Sequence, residues 1–289
     1  MRLFAQAKIN WTLEVLGRRD DGYHEVRTVL QTVSTGDLLE IEPADELTLE
    51  VTGEHEASED DLVLRAARAL DGGAGRGARI RLAKLVPVAA GLGGGSSDAA
   101  ATLRGLNELW ALGRSEGELA EIAAGVGSDV SFFLTGGTAL GEGRGERVTA
   151  LPDASPRWLV LVVPKMRLEE KTKRMYEALR PEHYGDGTRS SVLVERVKVG
   201  RGVREEHLYN AFDEVAYEVF EGLAAYREAL LAAGAEAVHV AGAGPALFAL
   251  AAGQTNQREI FQRLMLPSSA GSATMLVTVG RADSLLMER

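Results

Sequence analysis

A glycine-rich segment, PVAAGLGGGSSDAAA at residues 87–101, constrains the fold of this chain more than any other stretch. A strand-like run at 78–88 leads into it, and an alanine-rich run with helical spacing follows. A strand, a glycine loop and a helix in this order bring backbone N–H groups to a helix N-terminus, where they can face an anion. Glycines also let a loop approach a phosphate closely. The segment predicts a phosphate cradle, and the alternative is a flexible turn whose serine only caps the helix.

Two common nucleotide-binding loops do not fit this segment. No GxxxxGK[ST] sequence occurs, which excludes a Walker-type loop. The dinucleotide fingerprint GxGxxG fails at Ser96, and a GxGxxA at residues 73–78 precedes a strand instead of opening a helix. A phosphate cradle in this chain therefore belongs to another class.

Composition excludes several kinds of protein. The 289 residues are 45% hydrophobic and 26% charged, which is typical of a soluble globular protein with one large or two medium domains. The net charge is −10 and no run of Lys and Arg interrupts it, so a nucleic-acid surface is not expected. The absence of cysteine excludes disulfides, thiolate metal sites and a cysteine nucleophile, and the histidines form no HExxH pair.

Two further patterns concern location. The apolar run at 158–163 is too short to span a bilayer. Polar residues near the N-terminus, Gln6, Lys8 and Asn10, interrupt the region where a signal peptide needs unbroken apolar residues. We expect a cytoplasmic protein whose partner is a small molecule, not a nucleic acid or a membrane.

Both strands and helices are predicted in the first half of the chain. Apolar and polar side chains alternate over residues 3–15, which predicts a half-buried strand. Strand-like runs at 38–42 and 47–51 predict a hairpin. Helices are predicted near 60–70, up to about 112 after the glycine loop, and from Ser115, where Glu118 completes a capping box.

Turn-forming residues at 151–157, LPDASPR, predict a domain boundary. We place the first domain at 1–152 and the second at 153–289. The second half mixes strands and helices in an α+β order. Its predicted strands are 158–163, 237–242, 246–250 and 275–280, and its predicted helices lie near 168–179, within long helical patterns over 205–233, and near 257–264.

Several segments resemble the GHMP small-molecule kinases. PVAAGLGGGSSDAAA closely resembles the signature loop of that family, which wraps the ATP phosphates. AKIN at 7–10, with the GRRDDGYHEVRTVLQTV that follows, is similar to the opening of one branch of the family. GVGSDVSFFLTGGTALGEGRGE at 125–146 resembles the segment around its catalytic aspartate, and VAGAGPALFAL at 240–250 resembles its C-terminal glycine motif. The proline common before AKIN is replaced by Gln6-Ala7, and the usual Asn-Asp-Phe-Glu reads NAFD at 210–213.

The resemblance implies an α+β, two-domain GHMP kinase fold. Its N-terminal domain would be like domain 2 of ribosomal protein S5, and its C-terminal domain would be a ferredoxin-like α+β unit. The cofactors implied are ATP and Mg²⁺. The residues implied to bind the cofactor are Pro87, Val88, Ala89, Ala90, Gly91, Leu92, Gly93, Gly94, Gly95, Ser96 and Ser97. Ser96 or Ser97 could offer an oxygen near the metal, but we assign no metal ligand.

The resemblance also implies a catalytic pair. Asp129 matches the catalytic base of the family, and Lys8 would lie beside it. Taken alone, an aspartate after Gly-Ser is more often a turn or helix-cap residue. Lys8 and Asn10 project from the same face of a strand, and a single lysine on such a face is more often solvated. If the pair is formed, the lysine can keep the carboxylate ionised and can stabilise negative charge on the transferring group.

The acceptor site implied by the resemblance contains Asn10, Tyr23 and His24. In the matching branch of the family these residues help to bind a small-molecule acceptor that carries a cytosine. Stacking and hydrogen bonds to the base edge are the physical means available. The alternatives are another GHMP kinase, of the homoserine or mevalonate type, and a catalytically silent binding protein with the same fold. The sequence assigns no oligomeric state.

Overall fold

The chain folds into two β-sheets with helices packed against them. The computed structural model describes residues 1–53, 58–267, 271–281 and 287–288. The strands are β1 (Arg2–Arg18), β2 (His24–Glu42), β3 (Leu47–Thr52), β4 (Ala78–Ala83), β5 (Thr138–Gly143), β6 (Arg147–Ala150), β7 (Trp158–Pro164), β8 (Tyr209–Asn210), β9 (His239–Val240), β10 (Leu247–Ala251), β11 (Gly271–Val277) and β12 (Met287–Glu288). The helices are α1 (Leu62–Asp71), α2 (Gly94–Leu109), α3 (Glu116–Val126), α4 (Val130–Thr135), α5 (Lys171–Glu177), α6 (Thr188–Lys198), α7 (Ala216–Val219), α8 (Leu223–Ala232) and α9 (Gln254–Arg263), with short 3₁₀ turns at Pro181–His183 and Glu205–His207.

The two sheets divide the chain unequally. The first has the order β12-β1-β2-β4-β3, with β8 added to β1, and with β5 pairing with β2 and β6. The second has the order β11-β7-β10-β9 and is antiparallel throughout. Strands β8 and β12 thus return to the first sheet from beyond residue 152, and the division at that residue stays a prediction.

Strand β1 is buried on both faces, so the prediction of a half-buried strand is wrong. Ile9 and Trp11 are fully buried in a cluster that includes residues of the second sheet, such as Phe248. The polar face is buried too, because other segments supply hydrogen-bond partners for it. In α6, a helix that the sequence patterning missed, Ser190 bonds with Thr12 and donates its N–H to Glu14. Buried polar groups with partners do not incur the usual desolvation penalty in full.

The hairpin predicted over 38–51 is also wrong. Strand β4 lies between the two strands, antiparallel to β2 and parallel to β3. Ala78, Ile80 and Leu82 of β4 are buried on one face, whereas alternate residues of β3 are exposed. Strand β4 therefore takes the inner position with one face buried, and β3 takes the edge.

Helices α1, α2 and α3 confirm the predictions for the first half, and the capping box of Ser115 and Glu118 is present. The long helical patterns over 205–233 are instead interrupted by a 3₁₀ turn, β8 and the short helix α7. The interruption coincides with tertiary hydrogen bonds of Asn210 to the carbonyls of Val240 and Gly242. No helix in the described part of the chain is long and apolar enough to cross a membrane.

Candidate active site

Lys8 lies in the middle of β1 with only 5% of its side chain exposed. Its Nζ donates to Asn10 Oδ1 and to Gly91 O, both at 2.9 Å, so the two strand residues share one face as predicted. Its ion-pair partner is Asp129, whose Oδ2 lies 3.8 Å from Lys8 Nζ. Burial lowers the pKa of Lys8, and Asp129 only partly opposes this shift. The ammonium is therefore incompletely neutralised, and an anion bound nearby would be favoured.

Asp129 immediately precedes α4, but its side chain makes no capping hydrogen bond to that helix. Asp129 thus lies in a turn, as the sequence alternative had it, but its side chain does not cap the helix. Its side chain is 38% exposed and faces Lys8, so one side of the carboxylate is open to a ligand. Phe133 of α4 lies beside it in the fold and contacts the glycine loop, because a Cβ at Gly93 would lie 2.7 Å from its ring. This arrangement leaves a carboxylate that can orient or deprotonate a hydroxyl group.

The glycine loop, residues 87–97, runs along the junction of the two sheets. Gly91 and Gly93 have φ values of +91° and +74°, in the left-handed region that favours glycine. A Cβ at Gly91 would lie 1.9 Å from Ala241 O, on the turn of the second sheet. Gly91 is therefore required both by backbone conformation and by the close approach of the two halves.

Three successive carbonyl groups of the loop are turned toward the rest of the protein. Lys171 Nζ donates to Ala89 O at 2.8 Å, Ala246 N donates to Ala90 O at 3.1 Å, and Lys8 Nζ donates to Gly91 O at 2.9 Å. No residue in the described ranges accepts a hydrogen bond from the N–H of Gly91, Leu92 or Gly93. The first N–H groups of α2, which starts at Gly94, have no acceptor within the helix. Unpaired N–H groups and a helix N-terminus together form an anion cradle.

Ser97 does not have the orientation that its hydroxyl would need as an oxygen near a metal. Its Oγ donates to Gln6 O at 2.7 Å and is buried against β1. The suggestion that this hydroxyl faces a metal is therefore wrong, and Ser96, which is partly exposed, is the remaining serine. In residues 1–53, 58–267 and 271–281, no three His, Asp or Glu side chains are grouped as metal ligands.

A buried ion cluster, which the sequence analysis missed, supports the loop from below. It consists of Asp37, Lys84 and Asp98. Lys84 Nζ lies 2.5 Å from Asp37 Oδ2 and 2.7 Å from Asp98 Oδ2. Asp37 Oδ1 also accepts the N–H groups of Leu85 and Val86, which lead into the loop. Burial raises the pKa of Asp98 to about 8, a shift that Lys84 opposes and Asp37 reinforces. The cluster anchors both the entry to the loop and the N-terminal part of α2, where Asp98 is the fifth residue.

His24 belongs to an aromatic patch at the start of β2. Its ring stacks on Tyr176 with 4.7 Å between centroids, and Tyr184 approaches its edge at 6.2 Å. Burial, with a contribution from Arg18, lowers the pKa of His24, which favours the neutral ring. A neutral imidazole can both donate and accept, as the edge of a nucleobase requires. The two tyrosines were not predicted, and their only signal was aromatic residues in an otherwise polar stretch.

Tyr23 is 57% exposed, and the guanidinium of Arg144 lies 4.8 Å from its ring centroid. The next residue, Gly145, is adjacent to the carboxylate of Asp129, since a Cβ there would lie 3.9 Å from Oδ1. The guanidinium of Arg144 thus lies over Tyr23, and the residue after it in the chain approaches Asp129. The structure brings together the predicted residues Lys8, Asn10 and Asp129, and it places Tyr23 on an exposed turn beside Arg144.

Asn210 supports the C-terminal glycine turn, residues 240–246. Its amide donates to Val240 O and Gly242 O, both at 2.8 Å, and its Oδ1 accepts from Phe212 N. The departure of NAFD from the usual family pattern therefore leaves the asparagine in a structural role. Lys171, which donates to Gly244 O of this turn at 2.6 Å, was also missed by the sequence analysis.

Comparisons with known proteins agree with this geometry. Residues 61–137 match the family described as GHMP kinases N terminal domain, and residues 194–265 match GHMP kinases C terminal. A protein of Dehalococcoides mccartyi named 4-diphosphocytidyl-2-C-methyl-D-erythritol kinase is 39% identical over 98% of this chain and 100% of its own length. A protein of the same name from Symbiobacterium thermophilum is 43% identical over 92% of this chain and 94% of its own.

A solved structure is similar to this chain in fold as well as in sequence. The crystal structure of a 4-(cytidine 5'-diphospho)-2C-methyl-D-erythritol kinase superposes with a TM-score of 0.79 and 34% identity, covering 97% of this chain and 100% of that one. The fold is accordingly the α+β, two-domain GHMP kinase fold expected from the sequence, and the chain is a small-molecule kinase. Because the identity extends over nearly the full length, the chain belongs to the GHMP kinases and, within them, to the family of 4-diphosphocytidyl-2-C-methyl-D-erythritol kinases.

Proposed function

We propose that this chain transfers the γ-phosphoryl group of ATP to the 2-hydroxyl of 4-diphosphocytidyl-2-C-methyl-D-erythritol, a step in non-mevalonate isoprenoid precursor biosynthesis. The observation that carries the proposal is the Lys8–Asp129 pair, 3.8 Å apart, beside a loop in which the N–H groups of Gly91, Leu92 and Gly93 are unpaired within the described chain. Family membership supports the acceptor, because relatives at 39–43% identity have this kinase name.

Asp129 takes the role of the base. Its carboxylate accepts the proton of the 2-hydroxyl as the new O–P bond forms and the bond between the γ-phosphorus and the β–γ bridging oxygen breaks, releasing ADP. Lys8 holds that carboxylate ionised and oriented. Since the Lys8 ammonium has only neutral acceptors at 2.9 Å, it can also stabilise negative charge on the transferring phosphoryl group.

The loop at 87–97 fits the phosphates of ATP, because the carbonyls of residues 89–91 are occupied by protein donors and the N–H groups of residues 91–93 have no acceptor in the described chain. For Mg²⁺ the loop offers the partly exposed Ser96 hydroxyl, and we assign no carboxylate ligand. A small, hard cation of this kind commonly takes the rest of its ligands from phosphate oxygens and water. When bound, Mg²⁺ neutralises charge on the β- and γ-phosphates.

For the acceptor, we propose that the cytosine binds at Tyr23 and His24, with Tyr176 fixing the imidazole ring. The guanidinium of Arg144 lies over Tyr23 and Gly145 beside it approaches Asp129, so we assign Arg144 to the diphosphate that joins the cytosine to the sugar alcohol. Asn10 Oδ1 accepts a hydrogen bond from Lys8 Nζ at 2.9 Å, and we assign Asn10 to the acceptor site together with Tyr23 and His24.

The experiment is an acceptor panel with purified protein, ATP and Mg²⁺. We expect phosphorylation of 4-diphosphocytidyl-2-C-methyl-D-erythritol, with ³¹P NMR placing the new phosphate on the 2-hydroxyl, and no turnover of homoserine or mevalonate. Asp129→Asn provides the control for contaminating kinases. Turnover of homoserine or mevalonate in preference would identify a different GHMP kinase. ATP binding without turnover of any acceptor would identify a silent relative.

A further inference from the structure

Lys171 is the first residue of α5, and its amine lies between two backbone turns. Its Nζ donates to Ala89 O in the glycine loop at 2.8 Å and to Gly244 O in the C-terminal glycine turn at 2.6 Å. The two turns belong to different halves of the chain. One amine therefore joins the loop that borders the first sheet to a turn of the second.

The residue held by this amine has an unusual backbone. Ala89 has φ of +56°, a conformation that residues other than glycine rarely adopt. Such a conformation persists where surrounding contacts hold it. The hydrogen bond from Lys171 to Ala89 O is a contact of this kind.

Peptide planarity connects the carbonyl of Ala89 to the binding face of the loop. In a trans peptide, the C=O of one residue and the N–H of the next point in opposite directions. With Ala89 O turned toward Lys171, the N–H of Ala90 is turned away from it. The carbonyls of Ala90 and Gly91, which accept from Ala246 and Lys8, turn the next two N–H groups in the same manner.

The charge of Lys171 acts on the same region. Burial and the positive charge of Lys8 lower the pKa of Lys171 to about 8, and Asp129 opposes the shift. These influences show that Lys171 shares its electrostatic environment with the catalytic pair. Its own hydrogen-bond acceptors are neutral carbonyls, so it adds positive charge beside a loop that binds anions.

We propose that Lys171 is a positioning residue of the phosphate loop: by binding the carbonyls of Ala89 and Gly244 it keeps the N–H groups of the loop facing the nucleotide phosphates. The inference deepens the proposed function and rests on it, because it requires that the loop bind ATP. It does not require a particular acceptor.

The test compares a nucleotide that has phosphates with one that has none. Lys171→Met removes the donor and the charge but keeps an unbranched side chain. We expect the Kd for ADP, measured by calorimetry, to rise about tenfold. This is the size of effect expected if the displaced loop loses one hydrogen bond to a phosphate. The inhibition constant of adenosine against ATP should change less than about twofold, because adenosine does not contact the cradle. In kinetics, KM for ATP should rise more than kcat falls, with KM for the acceptor nearly unchanged.

Lys173→Met is the matched control. Lys173 lies on the same helix with 59% of its side chain exposed, and its recorded ion partner is Glu170, so ADP binding should not change. Lys171→Arg keeps the charge and the donors and should recover most of the ADP affinity. If Lys171→Met is too unstable to assay, Lys171→Gln, which keeps one donor, serves the same comparison, and thermal unfolding checks that each variant is folded.

Three outcomes would overturn the inference: ADP affinity unchanged in the folded variant, ADP and adenosine affinity falling equally, or wild-type protein that does not bind ADP. The last outcome would also overturn the proposed function. If the wild-type protein binds ADP but phosphorylates no acceptor, the proposed function fails and the ADP titrations still decide the role of Lys171.

Discussion

Lys8 and Lys84 both lie against the glycine loop, yet their surroundings differ. Lys84 has two carboxylates within 2.7 Å, and Asp98 and Asp37 raise its pKa despite the opposing effect of burial. Lys8 has a carbonyl and an amide oxygen at 2.9 Å and its carboxylate at 3.8 Å, and burial lowers its pKa. Lys84, which has two carboxylates near it, therefore stabilises the fold. Lys8, whose charge is incompletely neutralised, is available to a ligand.

The largest expected effect concerns the functional pair. Asp129→Asn keeps the shape of the side chain but removes the base, and we expect kcat to fall by about 10²–10⁴. Lys8→Met should also lower kcat strongly. Because the two residues act as a unit, the double variant should be little worse than either single one. Steady-state kinetics of the three variants decide this, and losses that multiply in full would contradict a shared role.

The next prediction contrasts stability at the two lysines. Lys84→Met leaves Asp37 and Asp98 buried without their cation, and we expect the free energy of unfolding to fall by about 3–5 kcal/mol. Lys8→Met removes a desolvated charge whose carboxylate partner, Asp129, is 3.8 Å away and 38% exposed to solvent, so the free energy of unfolding should be unchanged or higher. Urea unfolding of both variants measures the difference. An equal loss of unfolding free energy in Lys84→Met and Lys8→Met would show that the two lysines do not differ in their contribution to stability.

A third ion cluster, in the second half of the chain, extends the comparison to pH. His239 donates to Asp213 at 2.8 Å and to Glu205 at 2.6 Å. Burial would lower the pKa of His239, but these two carboxylates outweigh it and raise the pKa to about 9. The folded state therefore holds this proton more tightly than the unfolded state. The stabilisation is complete below the unfolded pKa of about 6.5 and is lost as the pH rises through 9.

We expect this contribution to reach at most about 3 kcal/mol. His239→Gln should lower the unfolding free energy at pH 6 and change it much less at pH 9.5. Asp98 and Lys171 also have a pKa of about 8, but both residues are present in the wild-type protein and in His239→Gln. The difference in unfolding free energy between these two proteins therefore isolates His239. A variant that loses as much stability at pH 9.5 as at pH 6 would show that this histidine acts through packing alone.

The smallest expected effect concerns two neighbouring rings, one exposed and one packed against another ring. Tyr23 is 57% exposed, whereas His24 is stacked on Tyr176. Tyr23→Ala should raise Kd for the acceptor by about tenfold or somewhat more, taking about 1–3 kcal/mol for a stacked base, with Tm and ATP affinity unchanged. His24→Ala should weaken the acceptor and also lower Tm. If Tyr23→Ala weakens ATP as much as the acceptor, the assignment of Tyr23 to cytosine is wrong.

Much of the site could be predicted from sequence because its signals are local. The glycine loop, the helix after it, and the capping box of Ser115 each depend on residues within one turn or loop. The two-residue spacing of Lys8 and Asn10 already places them on one face of a strand. Family resemblance then distinguished Asp129 from an ordinary helix cap, which its local sequence alone does not do.

Only the tertiary structure decided which segments meet. Whether β3 or β4 lies beside β2, and whether the polar face of β1 meets water or Ser190, depends on chain segments far away in sequence. Lys171 reads in sequence as one more charged residue of an amphipathic helix, and its role at two carbonyls arises from the meeting of two turns. Periodicity determines which side of an element an apolar residue occupies, but pairing and burial depend on contacts between distant elements, and these contacts set the charge state and the partners of each buried group.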